Sequence, residues 1–192
     1  MATVSYSVFL HDIQPRVMGA PKQVVLNAIR DAAIEFCDES GVLKRVLDPV
    51  VIIAGQTEGD IDAPSGERIC RVDSLTESDL GGEIPPGAYS LIDTFIKLNS
   101  PATQNLKLIP VVSVKPKRTS TSCDELLYED YAGGIIEGAL ASLYAMTGRE
   151  WANDRAAMAS YNEFRKGIVK AKHNARTSRV ARLGTVTQRS FE

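Results

Sequence analysis

Apolar positions change their spacing three times along the chain. Residues 1–20 show a weak two-residue alternation (Val4, Tyr6, Val8, Leu10) and then a turn-like Gln14-Pro15, which predicts an extended arm or short strand. Val25, Ala28, Ile29, Ala32, Ala33 and Phe36 then recur every three or four residues, one stripe of a helix near 21–40. Pro21 suits the first turn of that helix, and Gly41 suits the left-handed position that ends it. Between 46 and 116 the period shortens. Stretches 50–53, 68–75, 89–98 and 106–114 are rich in Ile, Val and Leu and predict strands. Gly59-Asp60, Pro64-Ser65-Gly66, Gly81-Gly82 and Pro85-Pro86-Gly87 punctuate them, and the 76–87 stretch reads as an exposed loop. A helical period returns at 122–147, where Ser122 and Glu125 have capping-box spacing, and again at 153–175, with Asn153 or Asp154 as cap. Beyond Arg176 the periodicity stops, and 177–192 reads as an extended C-terminal tail.

These elements predict an α+β protein. A helical bundle (21–45 and 117–176) carries an inserted small antiparallel β domain (46–116), with the arm 1–20 before it and the tail after it. Gly133, Gly134 and Gly138 lie inside the second helix, where three glycines cost about 3 kcal/mol of propensity relative to alanine. Close approach of another helix is the plainest way to recover that cost. Trp151 follows the helix-ending Gly148 and reads as a packing wedge between the last two helices, ahead of a ligand platform.

Composition narrows the function classes. The chain has 192 residues, 44% hydrophobic and 24% charged, values that fit a folded water-exposed protein. No run approaches the roughly 20 apolar residues that cross a bilayer, so no membrane partner is expected. Residues 1–20 lack the form of a signal peptide, which predicts a chain used without export. Cys37, Cys70 and Cys123 are odd in number and widely spaced, so neither a disulfide framework nor a zinc site is expected. His11 and His173 have no partner at ligand spacing, and Asp60 with Asp62 lacks the rest of a calcium loop. Nucleotide-binding and hydrolase motifs are missing from the sequence, so no catalytic residue, metal or cofactor is expected. Glu125, Glu129 and Asp130 read as complements to a helix dipole.

The net charge of −2 conceals an asymmetry. From Arg165 onward the chain holds eight Lys/Arg and one acid, Glu192. Lys172, Arg176, Arg179, Arg182 and Arg189 continue well past the last turn whose dipole they could serve, and Phe191 could anchor in an apolar pocket. Such a segment seeks an acidic partner, nucleic acid or protein.

Four local patterns together resemble the head-to-tail adaptor (head-completion, neck or connector) proteins of tailed bacteriophages. Ala28-Ile29-Arg30-Asp31-Ala32-Ala33-Ile34-Glu35-Phe36-Cys37 is similar to the family's first helix, and Val112-Ser113-Val114-Lys115-Pro116 to its strand exit. Gly138-Ala139-Leu140-Ala141-Ser142-Leu143-Tyr144 followed by Trp151, and then Ala157, Tyr161, Phe164, Gly167, Ala171 and Lys172, resemble its C-terminal helices. The matching segments cover under a third of the chain. The resemblance implies a structural virion protein without an active site. Copies would form a ring, as a rule a dodecamer, beneath the portal protein and above a downstream tail or nozzle protein. DNA would pass through the lumen without sequence-specific binding, and the C-terminal segment would clasp the portal. The protein would reside at the head–tail junction of the virion, and in host cytoplasm during assembly. Little apolar surface is left once the core is assigned, which predicts a ring that forms on the portal. The alternative is a sequence-independent DNA-binding protein using the basic C-terminal arm.

Overall fold

The computed structural model describes residues 2–78 and 81–183, with side chains described as far as 177. It is an α+β protein with antiparallel sheets. The chain opens with β1 (Thr3–Ser5), then α1 (Leu10–Ile13) between 3-10 turns at Tyr6–Phe9 and Gln14–Arg16, then α2 (Lys22–Ser40). Strands β2 (Lys44–Val46), β3 (Val50–Ile52), β4 (Glu58–Asp60), β5 (Glu67–Glu77), β6 (Glu83–Ile84), β7 (Tyr89–Ile92), β8 (Phe95–Leu98) and β9 (Leu106–Pro116) follow. The chain continues with β10 (Ser122–Asp124), α3 (Glu125–Glu129), α4 (Ala132–Tyr144) and α5 (Asp154–Leu183). Two compact units result: Met1–Val42 with Thr121–Glu192, and Leu43–Ser120.

In the helical unit, α2 starts after Pro21, which sits at the cap with φ −59° and ψ 135°. It ends at Gly41, whose φ of 62° lets its N–H reach the Cys37 carbonyl. Its buried face is Val25, Ala28, Ile29, Ala32, Ala33, Phe36 and Cys37. The N-terminal stretch is not an arm. After β1 it coils, and Phe9, Ile13 and Val17 recur every fourth residue and are fully buried. Phe9 meets the Tyr128 ring edge-on at 5.3 Å.

The expected 122–147 helix is broken. Ser122 pairs with Ser5 across β1 and β10, so it cannot cap. Asp124 caps instead, accepting from the Leu126 N–H at 2.9 Å. The chain bends at Asp130 and Tyr131 before α4, and Asn153 caps α5 by accepting from the Ala156 N–H at 3.1 Å. The helix expected to stop at 175 runs to Leu183, with no glycine or proline between Ala175 and Gly184 to end it. Residues 177–183 are therefore helix, and 184–192 lie outside the described residues.

The β unit holds a five-stranded sheet in which β9 pairs with β5 on one side and with β2 and β3 on the other, β6 flanking β5. The second sheet, β4-β8-β7, has three strands. Gly59 on β4 lies against β3: a Cβ there would come 2.5 Å from Val50 Cγ1 and 2.9 Å from Ile52 Cγ1. That contact sets the inner faces of the two sheets together, with Val50, Ile52, Leu108 and Ile96 buried between them. Arg45, 8% exposed, donates to both carboxylate oxygens of Glu67 at 3.1 and 2.6 Å. The strand expected at 89–98 is a hairpin turning at Asp93, whose φ is 52°. The expected 76–87 loop is also shorter, since β5 runs on to Glu77 and pairs with β6. Strands β2, β4 and β6 escape the sequence because two or three residues cannot display an alternation.

Candidate functional site

Two features of the helical unit concern binding. The first is the end of α5. Ala171 is the last buried described side chain on that helix, and Lys172 and Arg176 beyond it are exposed. Four residues apart, they project from one face. Positions 179 and 182 continue the helix. The side chains of Arg179 and Arg182 lie outside the described residues, as do Arg189 and Phe191 altogether.

The second is the glycine seam between α4 and its neighbours. A Cβ on Gly138 would stand 2.6 Å from Phe164 Cδ2 and 3.1 Å from Ala32 Cβ, so α2, α4 and α5 meet there at distances only glycine permits. At Gly134 a Cβ would be 2.9 Å from Phe36 Cε2. Gly167, which the sequence reading left out of the seam, crosses with its Cβ direction 3.3 Å from Gly134 Cα. Its signal was available, a lone glycine within a periodic helix. Gly133 is different: a Cβ there meets nothing within 4 Å, so it is not a packing contact.

Gly133 instead borders an open groove of about 800 Å³. Phe36, Tyr131, Gly134 and Gly167 also line it, and Asp130, Glu137, Glu163, Lys166 and Lys170 supply its charges. Two of those carboxylates are engaged, Glu137 with Arg16 at 2.7 Å and Glu163 with Lys166 at 2.6 Å. Its lining mixes two aromatic rings and three glycines with five charged side chains.

Trp151 sits half-buried in the turn between α4 and α5. Its Nε1 is buried with no acceptor, and the Arg149 guanidinium lies 6.0 Å from its ring centroid. On α2, Glu39 accepts from Arg165 Nη1 at 2.6 Å. This bond, more than the charge alone, raises the Arg165 pKa. Glu35 nearby is held above the ordinary carboxylate range, first by burial and then by the negative charge of Glu39.

Two of the three cysteines are shielded, and Cys70 is half-buried. Cys37 and Cys123 are buried, and burial followed by the charge of Asp124 pushes the Cys123 thiol up to about 12. Among the described residues no three His, Cys, Asp or Glu converge as metal ligands, and no helix is long and apolar enough to cross a membrane. Asp60 stands opposite Phe95 on a sheet surface, not in an ion-binding loop.

Exposed apolar residues of the β unit also went unread. Val46, Val51, Ile53, Ile92 and Phe95 are 71, 58, 54, 52 and 40% exposed. The Val50-Val51-Ile52-Ile53 run carried the signal, because both phases of its alternation are apolar. A scan of known protein families and a search of curated proteins return no match to this chain.

Proposed function

We propose that the chain is a structural protein of tailed bacteriophages, a head-to-tail adaptor. Its copies form a ring, dodecameric by the resemblance, that attaches beneath the portal and receives a downstream tail or nozzle protein. The organisation proposed is a helical bundle with an inserted β domain and a C-terminal tail. No chemistry is assigned to it. It would work at the head–tail junction of the virion, after assembly in host cytoplasm, and form the channel through which DNA leaves.

The observation that carries this reading is the end of α5. Residues 172–183 continue as helix for about 18 Å past the last buried described side chain. Residues 172–177 are exposed apart from the half-buried Ala175, and a helix end that buries so little gains little stability by itself, so a partner is its natural support. Lys172, Arg176, Arg179, Arg182 and Arg189 would meet carboxylates of the portal, with Phe191 as an apolar anchor. Residues 1–164 carry 23 acids against 14 bases, which suits a channel wall that does not hold phosphates.

The experiment is truncation after Ala171, followed by incubation with portal-bearing, DNA-filled heads. The truncated protein should stay folded, losing only the helical signal of residues 172–183, fail to attach, and leave the heads leaking DNA. Attachment equal to the full chain would remove the tail as clasp. If the full chain instead ignores portals and binds duplex DNA with an affinity that falls steeply with salt, the arm is a DNA-binding device.

A further inference from the structure

The two sheets of the β unit turn their inner faces to each other, and both outer faces are partly apolar. On the five-stranded sheet, Val51 stands beside Lys107 and Val46 beside Val111, all on the face opposite the buried Leu108 and Val112. On the three-stranded sheet, Asp60, Phe95 and Ile92 form one cross-strand row, opposite the buried Ile96. The outer faces of a two-layer antiparallel unit are ordinarily polar, since water covers them. These two carry large apolar residues that are 40–71% exposed. They also differ in sign. Lys107 lies within the first patch; on the second, Lys97 is neutralised by Glu58 at 3.0 Å and Asp93 at the turn faces Arg68 at 3.9 Å, which leaves the negative charge of Asp60.

We propose that the β units of neighbouring copies stack face to back. The Asp60–Phe95–Ile92 face of one copy covers the Val46–Val51–Lys107 face of the next. The partner is a second copy of this chain because the two patches complement one another in charge while each is unlike itself. Lys107 would meet Asp60 across such a contact, whereas a two-fold contact would set like charges together. Two different patches on opposite faces make a heterologous contact, which propagates from copy to copy and closes into a ring when the rotation permits. The ring reading above is needed only for that closure; the contact itself does not depend on it.

Mixing tests it without any other protein. Phe95→Asp disables one face and Val51→Asp the other, and both positions are exposed. Ile92→Asp replaces Phe95→Asp should the latter lose its circular dichroism signature. In sedimentation up to about 1 mM, the natural chain should form a concentration-dependent series of oligomers. Each variant alone should stay monomeric. An equal mixture should give dimers and nothing larger, because only one good pair of faces remains. Three results overturn the proposal: a natural chain monomeric throughout, either variant associating as the natural chain does, or a mixture without dimers. Rings that still form on portals with the Val51→Asp chain would sink the stacking and leave the adaptor reading intact. Head-to-tail association in a chain that ignores portals would do the reverse.

Discussion

The two units hold their interiors by different means. In the helical unit the centre is a close fit of rings against glycines: Phe36 and Phe164, 6.2 Å apart, press on Gly134 and Gly138. No buried ion pair takes part among the described residues of that unit. In the β unit a guanidinium is fixed in the interior, Arg45 on Glu67. Shape fails when volume is added. A buried ion pair fails when one partner is taken away. Each unit should therefore be most sensitive to a different kind of substitution.

The largest expected effect is in the β unit. Glu67→Ala takes from Arg45 the carboxylate that receives two of its hydrogen bonds, the Lys44 carbonyl keeping a third, at a cost of about 3 kcal/mol. Urea unfolding of the single variant and of the Arg45→Met/Glu67→Met double variant measures it. The double variant should recover most of the loss, since no charge is left buried alone. Equal losses in both would mean that volume, not charge, holds this interior.

Gly138→Leu comes next. Its first carbon already lands within 2.7 Å of two Phe164 ring atoms, so helices must part, at about 1–3 kcal/mol. Gly133→Ala, five residues earlier on another face with open space around it, should instead stabilise α4 by about 0.5–1 kcal/mol. Thermal melts of the pair sharpen the comparison. If both variants lose stability, helix propensity is not what separates them, and the groove beside Gly133 is closed in solution.

What the sequence disclosed follows from how local each cause is. The α2 stripe and its Gly41 terminus depend on neighbours within a turn or two, and both stand where the spacing placed them. The coil at residues 6–16 was hidden because Val4, Tyr6, Val8 and Leu10 happen to alternate, while the residues actually buried, Tyr6, Phe9, Leu10 and Ile13, have helical spacing. The Ser122–Glu125 box has capping spacing, but pairing of Ser122 with Ser5 is a long-range fact that no local pattern carries. The glycine seam was legible as a cost, and only packing could say that Gly167 belongs to it and Gly133 does not. The outer β faces needed the register, since Val51 and Phe95 read as core until their strands are paired.

The smallest effect concerns Glu35, and its sign is informative. Burial raises the pKa of this carboxyl in the folded chain and Glu39 raises it further, while Arg165 pulls the other way. The folded pKa therefore lies above the unfolded one, near 4.3. Above the folded value both states are ionised and folding carries the full penalty. As pH falls through the folded value the penalty shrinks, and below the unfolded value it is gone. Glu35→Gln should thus stabilise the helical unit at pH 7 by no more than about 0.5 kcal/mol, because Glu35 keeps an exposed edge. The gain should vanish near pH 3. Urea unfolding at both pH values checks this, with Glu39→Gln as companion. Glu39→Gln weakens the bond to Arg165 and should lose stability at pH 7. A Glu35→Gln gain that persists in acid would show that shape, not charge, strains this edge of α2.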